Sequence, residues 1–191
     1  MMSEVCWPLA GAVLRALHAA GIIHRDLTPS NIMVVPDPEV PGGRRIKLLD
    51  LGIAKVNAAG VAALSTSLQA LLEDDDSPTL PMAKAGRLLG TPNYMAPEQI
   101  AAPEQADAPA DVYALGVLLF EAAAGRVPFE GTLTQVLNSH LHDEPPSLRR
   151  VSPGAPRALA RLVGQMMGKE PAARPTARTV SEVKKKIVDQ G

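Results

Sequence analysis

The chain has 191 residues, 46% hydrophobic and 20% charged, enough apolar surface for one real core and so for one domain. Its formal net charge of −1 leaves no electrostatic footprint for nucleic acid or an anionic membrane. The single cysteine, Cys6, excludes an internal disulfide and a thiolate metal site, and fits a reducing, cytoplasmic setting.

Val5, Leu9, Val13, Leu17 and Ala20 recur at three- or four-residue spacing and predict a helix over 3–20. Pro8 falls near its first turn and Gly21 is a natural stop. The N-terminus lacks a basic region ahead of its apolar stretch, so it is a poor signal peptide. The run His24-Arg25-Asp26-Leu27-Thr28-Pro29-Ser30-Asn31 comes next, then a short predicted strand, Ile32–Val35. Residues 36–43 are a turn-rich hairpin connection. No helix follows Gly42-Gly43, so that pair is not a phosphate-binding loop. A second predicted strand, 46–49, ends at Asp50-Leu51-Gly52. Residues 57–86 are rich in Ala, Gly, Ser, Asp and Pro and predict a long loop. Glu73–Asp76 reads as a solvated acidic stretch, with a metal site or docking patch as the alternatives. Residues 56–72 carry no charge, yet polar residues and Gly interrupt them, so no membrane segment is expected.

Gly90-Thr91-Pro92-Asn93-Tyr94-Met95-Ala96-Pro97-Glu98 follows. Residues 111–121 are apolar nearly all round and predict a central buried helix between Pro109 and Gly125. A short helix is expected over 132–142. His140 and His142 are two apart, wrong for one helix face, and read as surface residues rather than ligands. Pro145-Pro146 and Pro153-Gly154 bracket a loop. A helix over 156–168 buries Leu159, Leu162, Val163, Met166 and Met167. A last helix runs from 177 to 189, with Thr179 and Glu182 as a candidate capping box and Lys184–Lys186 as a solvated face.

Phosphoryl transfer from ATP needs a carboxylate to orient the attacking hydroxyl and oxygen ligands to hold Mg²⁺ on the phosphates. Asp26 suits the first task; Asn31 and Asp50 suit the second. Asp26 and Asn31 are five residues apart, within reach of one short loop.

In this order, HRDLTPSN, DLG and Ala96-Pro97-Glu98 resemble the HRDLKPxN, DFG and APE of the protein serine/threonine kinases, in a bacterial flavour. The resemblance covers nearly the whole chain and is to the large C-terminal lobe only. It implies a mainly α fold, a protein-kinase-like C-lobe with a short β-hairpin beside the catalytic loop. One domain would span 1–191: catalytic loop 24–31, activation segment 50–98, helical subdomain 99–190. The implied reaction moves the γ-phosphate of ATP to Ser or Thr hydroxyls of protein substrates, with Mg²⁺. The implied catalytic residues are Asp26, Asn31, Asp50 and Thr91, the last hydrogen-bonding Asp26 beside the substrate. Asn31 and Asp50 would bind Mg²⁺ and, with Met33 under the adenine, the nucleotide; Met33 also reads as simple core. Glu98 would pair with Arg174. Arg25 would meet a phosphate on the activation segment, a role compatible with its plainer reading as a buried arginine paired with a carboxylate. Asp111 would accept hydrogen bonds from the catalytic loop and cap its helix. Ser65, Thr66, Ser67, Ser77 and Thr79 are possible phosphate acceptors. His24 would pack under the DLG turn.

The chain departs from the family in three places. No G-x-G-x-x-G precedes the catalytic loop and no Lys precedes Lys47, so the small N-lobe is expected to be missing. Thr28 stands where the family has Lys, and Leu51 where it has Phe. Positioning and electrostatics supply almost all catalysis in this chemistry, so the isolated chain is expected to be inactive unless an N-lobe acts in trans. A kinase-like binding module and a fragment of a longer reading frame remain open readings.

Overall fold

The computed structural model describes residues 6–39, 43–49 and 92–188. Asp50, Thr91 and the predicted 57–86 loop with its candidate phosphate acceptors lie outside the described residues.

Helix α1, Cys6–Ala19, ends in a tight reversal. Gly21 adopts φ 72°, its N–H donates to the His18 carbonyl, and the Ile22 N–H donates to that of Leu17. Gly is favoured there because a Cβ disfavours the left-handed backbone. Leu14, 1% exposed, is the deepest described side chain of α1.

Strands β1, Ile32–Pro36, and β2, Arg44–Leu48, pair antiparallel with Ile32 opposite Leu48 and Val34 opposite Ile46. Alternation sends Ile32, Val34, Ile46 and Leu48 to the core and leaves Met33 and Lys47 facing outward. The second strand begins two residues earlier than expected. Asp37 explains this, because its N–H meets the Gly43 carbonyl and its carboxylate pairs with Arg45 at 2.6 Å. Leu49 leaves the ladder to donate to the Asn31 carbonyl instead.

The rest is helical: α2 Pro97–Ala101, α3 Ala108–Ala124, α4 Leu133–His142, α5 Leu148–Val151, α6 Arg157–Met166 and α7 Ala177–Val188. The predicted loop over 145–154 thus holds one helical turn, which seats Leu148 in the core. Helix α3 is central, buried continuously from Ala110 to Phe120. It starts at Ala108, ahead of the predicted 111, because Asp107 caps it and Pro109 is tolerated in the first turn. Asp111 therefore does not cap the helix. Thr132 and Gln135 form a capping box at the start of α4. Thr179 does not cap α7: its N–H donates to Thr176 Oγ1, while Glu182 pairs with Arg178.

Helices α3 and α6 touch at Gly116. A Cβ there would sit 2.8 Å from Met166 Cβ and 3.0 Å from Met167 Cγ. Gly116→Ala is expected to destabilise by about 1–3 kcal/mol through overpacking, outweighing the roughly 1 kcal/mol that Ala gains in helix propensity. A lowered urea midpoint would register this; an unchanged midpoint would mean that the two helices part freely.

Candidate active site

Residues 24–31 lie between the end of α1 and β1 and are gripped by helix α3. Asp111 Oδ1 accepts from the Arg25 N–H at 2.7 Å, and Oδ2 accepts from the His24 N–H at 2.8 Å. His18 Nε2 adds a third contact to Oδ2 at 2.8 Å. The carboxylate is 1% exposed, and buried carboxylates need this degree of satisfaction. So the sequence expectation for Asp111 holds for its loop contacts and fails for its capping role.

Arg25 is the one described non-glycine residue with positive φ, at 63°. Such a backbone costs on the order of 1–2 kcal/mol, so neighbours must hold it. Asp111 grips its N–H, and Gln99 Nε2 donates to its carbonyl at 2.8 Å. Its side chain is exposed, which overturns the reading of a buried arginine: the left-handed turn aims it outward.

Asp26 and Asn31 meet within the loop. Asn31 Nδ2 donates to the Asp26 carbonyl at 2.8 Å and to its Oδ2 at 3.2 Å. The turn Pro29–Asn31 brings them together. His24 is fully buried, its Nε2 is 3.1 Å from the Leu49 carbonyl, and its Nδ1 accepts from the Asp26 N–H at 3.3 Å. Leu49, whose N–H is held by Asn31, is thus pinned at both backbone groups just before Asp50. Thr28 is buried, with Oγ1 2.8 Å from Ser30 Oγ. Its hydroxyl is used inside the loop. Met33 is 46% exposed, so it is not core.

Residues 92–98 are anchored at several points. Glu98 and Arg174 form a bidentate pair at 2.6 and 2.8 Å, as expected. Arg174 also donates to the carbonyls of Gly168, Lys169 and Pro109 and lies over the Tyr113 ring at 4.9 Å. Gln99 Oε1 accepts from the Ala96 N–H at 3.0 Å, so one carboxamide joins helix α2 to the Arg25 carbonyl. The Tyr94 hydroxyl donates to Glu121 at 2.6 Å; burial first, then Glu121, holds its pKa above the ordinary value. Sequence reasoning missed Gln99, His18 and the Tyr94–Glu121 bond. The one available signal was a Gln at the third position of a helix opened by Pro97, where an amide can reach back.

His140 corrects the sequence reading most sharply. It is fully buried, edge-on to Phe129 at 5.0 Å and bonded through Nδ1 to the Tyr113 hydroxyl at 2.8 Å. The two-residue spacing from exposed His142 left it free to face inward. Lys169 closes α4, donating to the Ser139 and His140 carbonyls where the helix dipole favours a cation. Burial lowers the His140 pKa to about 4, Lys169 adds to this, and the Asn93 backbone opposes it. Burial likewise lowers Lys169 to about 8.

Unfolded chains therefore bind a proton at His140 near pH 6.5, and the folded protein only near about 4. The histidine's contribution is complete above pH 6.5 and is lost as pH falls towards 4, on the order of 3 kcal/mol across the window. Urea unfolding at pH 7 and 4.5 is expected to show a smaller stability difference in His140→Gln than in the wild type. Equal differences would refute this titration. Among the described residues no group of His, Cys, Asp and Glu is arranged to hold a metal, and no helix is long and apolar enough to cross a membrane.

The protein kinase domain model matches residues 3–184. The chain is 37% identical to the serine/threonine-protein kinase pkn3 of Myxococcus xanthus, over 96% of this chain and 33% of that protein. It is 35% identical to the DNA damage-responsive serine/threonine-protein kinase RqkA of Deinococcus radiodurans, over 87% and 21%. It is 36% identical to the serine/threonine-protein kinase PknA of Mycobacterium tuberculosis, over 86% and 31%. The chain thus spans about a fifth to a third of the length of these relatives. The mainly helical architecture with one small antiparallel sheet agrees with that fold, and the chain belongs to the protein kinase family, alongside the bacterial serine/threonine kinases.

Proposed function

We propose that these residues are the large C-terminal lobe of a bacterial-type serine/threonine protein kinase, one domain over 1–191 with catalytic loop 24–31, activation segment 50–98 and helical subdomain 99–190. The observation that carries this reading is the hydrogen-bonded pair Asp26–Asn31 on a loop gripped by Asp111. Asp26 orients the Ser or Thr hydroxyl of a protein substrate and accepts its proton. Thr91 and residues 92–98 seat that substrate. Asn31 and Asp50 hold Mg²⁺. Nδ2 of Asn31 is committed to Asp26, leaving its amide oxygen for a cation, and an amide oxygen with a carboxylate is a hard donor set that suits Mg²⁺. When bound, the ion supplies charge neutralisation on the ATP phosphates. Met33, outward on the hairpin, lies under the adenine. The setting is cytoplasmic.

A small lobe, carried in a longer polypeptide or supplied in trans, brings the Gly-rich loop and the lysine. The exposed apolar side chains of Met33 and Leu49 are consistent with a surface that such a lobe covers. The isolated 191 residues are therefore weak or inactive in transfer. A binding module is the second reading, favoured by Thr28, whose buried hydroxyl offers no positive charge to a transferring phosphate.

Phosphate transfer from Mg²⁺-ATP to a generic Ser/Thr protein, beside an Asp26→Asn control, tests this. The isolated chain is expected to match the control, and a chain joined to a kinase small lobe to exceed it at least about a hundredfold, the usual scale of general-base catalysis. Control-sensitive transfer by the isolated chain would overturn the predicted inactivity. No transfer with a small lobe present would favour the binding module.

A further inference from the structure

Three elements meet at His140. Helix α4 carries it, α3 supplies Tyr113, and the turn Pro92–Tyr94 packs against α4. The imidazole is fully buried, and Nε2 is the one buried side-chain nitrogen or oxygen without a hydrogen-bond partner among the described residues. A hydroxyl can donate or accept, and we take Tyr113 as the donor to Nδ1, 2.8 Å away. A neutral imidazole then carries its proton on Nε2. That N–H is the orphan, and a buried unpaired donor is both rare and costly. The turn Pro92–Tyr94 packs against α4 and the Asn93 backbone bears on the protonation of the ring, while among the described residues no bond to Nε2 is formed.

We propose that His140 is a positioning residue for the end of the activation segment, holding the turn 92–94 against α4 through a hydrogen bond from Nε2 to the Asn93 carbonyl. The functional meaning of this rests on the reading that residues 91–98 seat the substrate. The other end of the same stretch is held by Arg174, which grips Glu98 and covers the Tyr113 ring. Tyr113 thus links both attachments: its hydroxyl orients His140 and its face packs under Arg174. Helix α4 thereby reads the position of the segment from one end and Arg174 from the other.

The test is amide hydrogen exchange and ¹⁵N spectroscopy on the full chain. His140→Gln keeps an N–H near the Nε2 position, and His140→Asn keeps only an acceptor near Nδ1. Exchange at 92–96 is expected to be about tenfold faster in His140→Asn and near wild type in His140→Gln, with α7 unchanged in both. Unchanged exchange at 92–96 in His140→Asn would overturn the proposal, as would equal acceleration across the whole chain. If neither variant folds, the wild-type tautomer decides. An Nε2–H coupled to the Asn93 carbonyl supports the proposal; an Nδ1–H, or an Nε2–H bonded to a buried water, overturns it. None of these readouts requires phosphate transfer, so an inactive chain leaves the inference standing, and an active chain with unchanged exchange refutes it alone.

Discussion

Arg174→Ala is expected to lower the unfolding free energy by about 3–5 kcal/mol, the usual cost of removing one partner of a buried ion pair. The side chain is 0% exposed and its partner Glu98 only 13%. Truncation would strand the Glu98 carboxylate and remove the donors that now meet the Gly168, Lys169 and Pro109 carbonyls. It would also uncover the Tyr113 ring. Domains of this size are stable by about 5–15 kcal/mol, so the variant would retain little margin. Arg174→Lys is expected to recover only part of the loss, because an ammonium cannot reproduce a bidentate fork while also reaching three carbonyls. Urea unfolding of both variants measures the effect. A loss below about 1 kcal/mol for Arg174→Ala, the range of exposed pairs, would mean that the site is wetter than the structure indicates.

Asp111→Asn should cost about 3 kcal/mol, although it changes one oxygen to nitrogen. Both carboxylate oxygens receive hydrogen bonds: Oδ1 from Arg25, Oδ2 from His24 and His18. A carboxamide keeps one acceptor and turns an NH₂ towards the other donors, leaving buried N–H groups facing N–H, each costing about 1–3 kcal/mol. The effect should be local as well as global. Arg25 holds a left-handed backbone that relaxes once its N–H is released. Hydrogen exchange at 24–31 should then rise more than exchange in α6. A uniform rise would mean that Asp111 acts only as a core residue.

Much of this site was legible in the sequence, because its parts are tied to short strings of special residues. Asp26, Asn31 and the Glu98–Arg174 pair each sit in such a string, and helix α3 announced itself by unbroken apolarity. The misses share a cause. His140, Gln99 and the Tyr94–Glu121 bond depend on which side chains meet across elements, and local patterning does not encode that. His140 was misread because the two-residue spacing constrained the pair and not each histidine alone. The capping role of Asp111 was misread for the opposite reason: a local rule explained it adequately, while its partners lay 86 and 87 positions away. The second strand was placed late because Gly43 and the Asp37–Arg45 pair set its start.

The grip of Asp111 on residues 24 and 25 also bears on how the chain reaches its native state. Closing a loop of more than eighty residues is entropically unfavourable until α3 offers a preformed acceptor. The strained backbone of Arg25 has no reason to persist before then. The loop 24–31 should therefore take shape late, with substitutions at Asp111 accelerating unfolding more than they retard folding. The Asp26–Asn31 pair would then be among the last features to form, so a nascent or partly unfolded chain carries these two side chains in a loop that has not yet taken its shape.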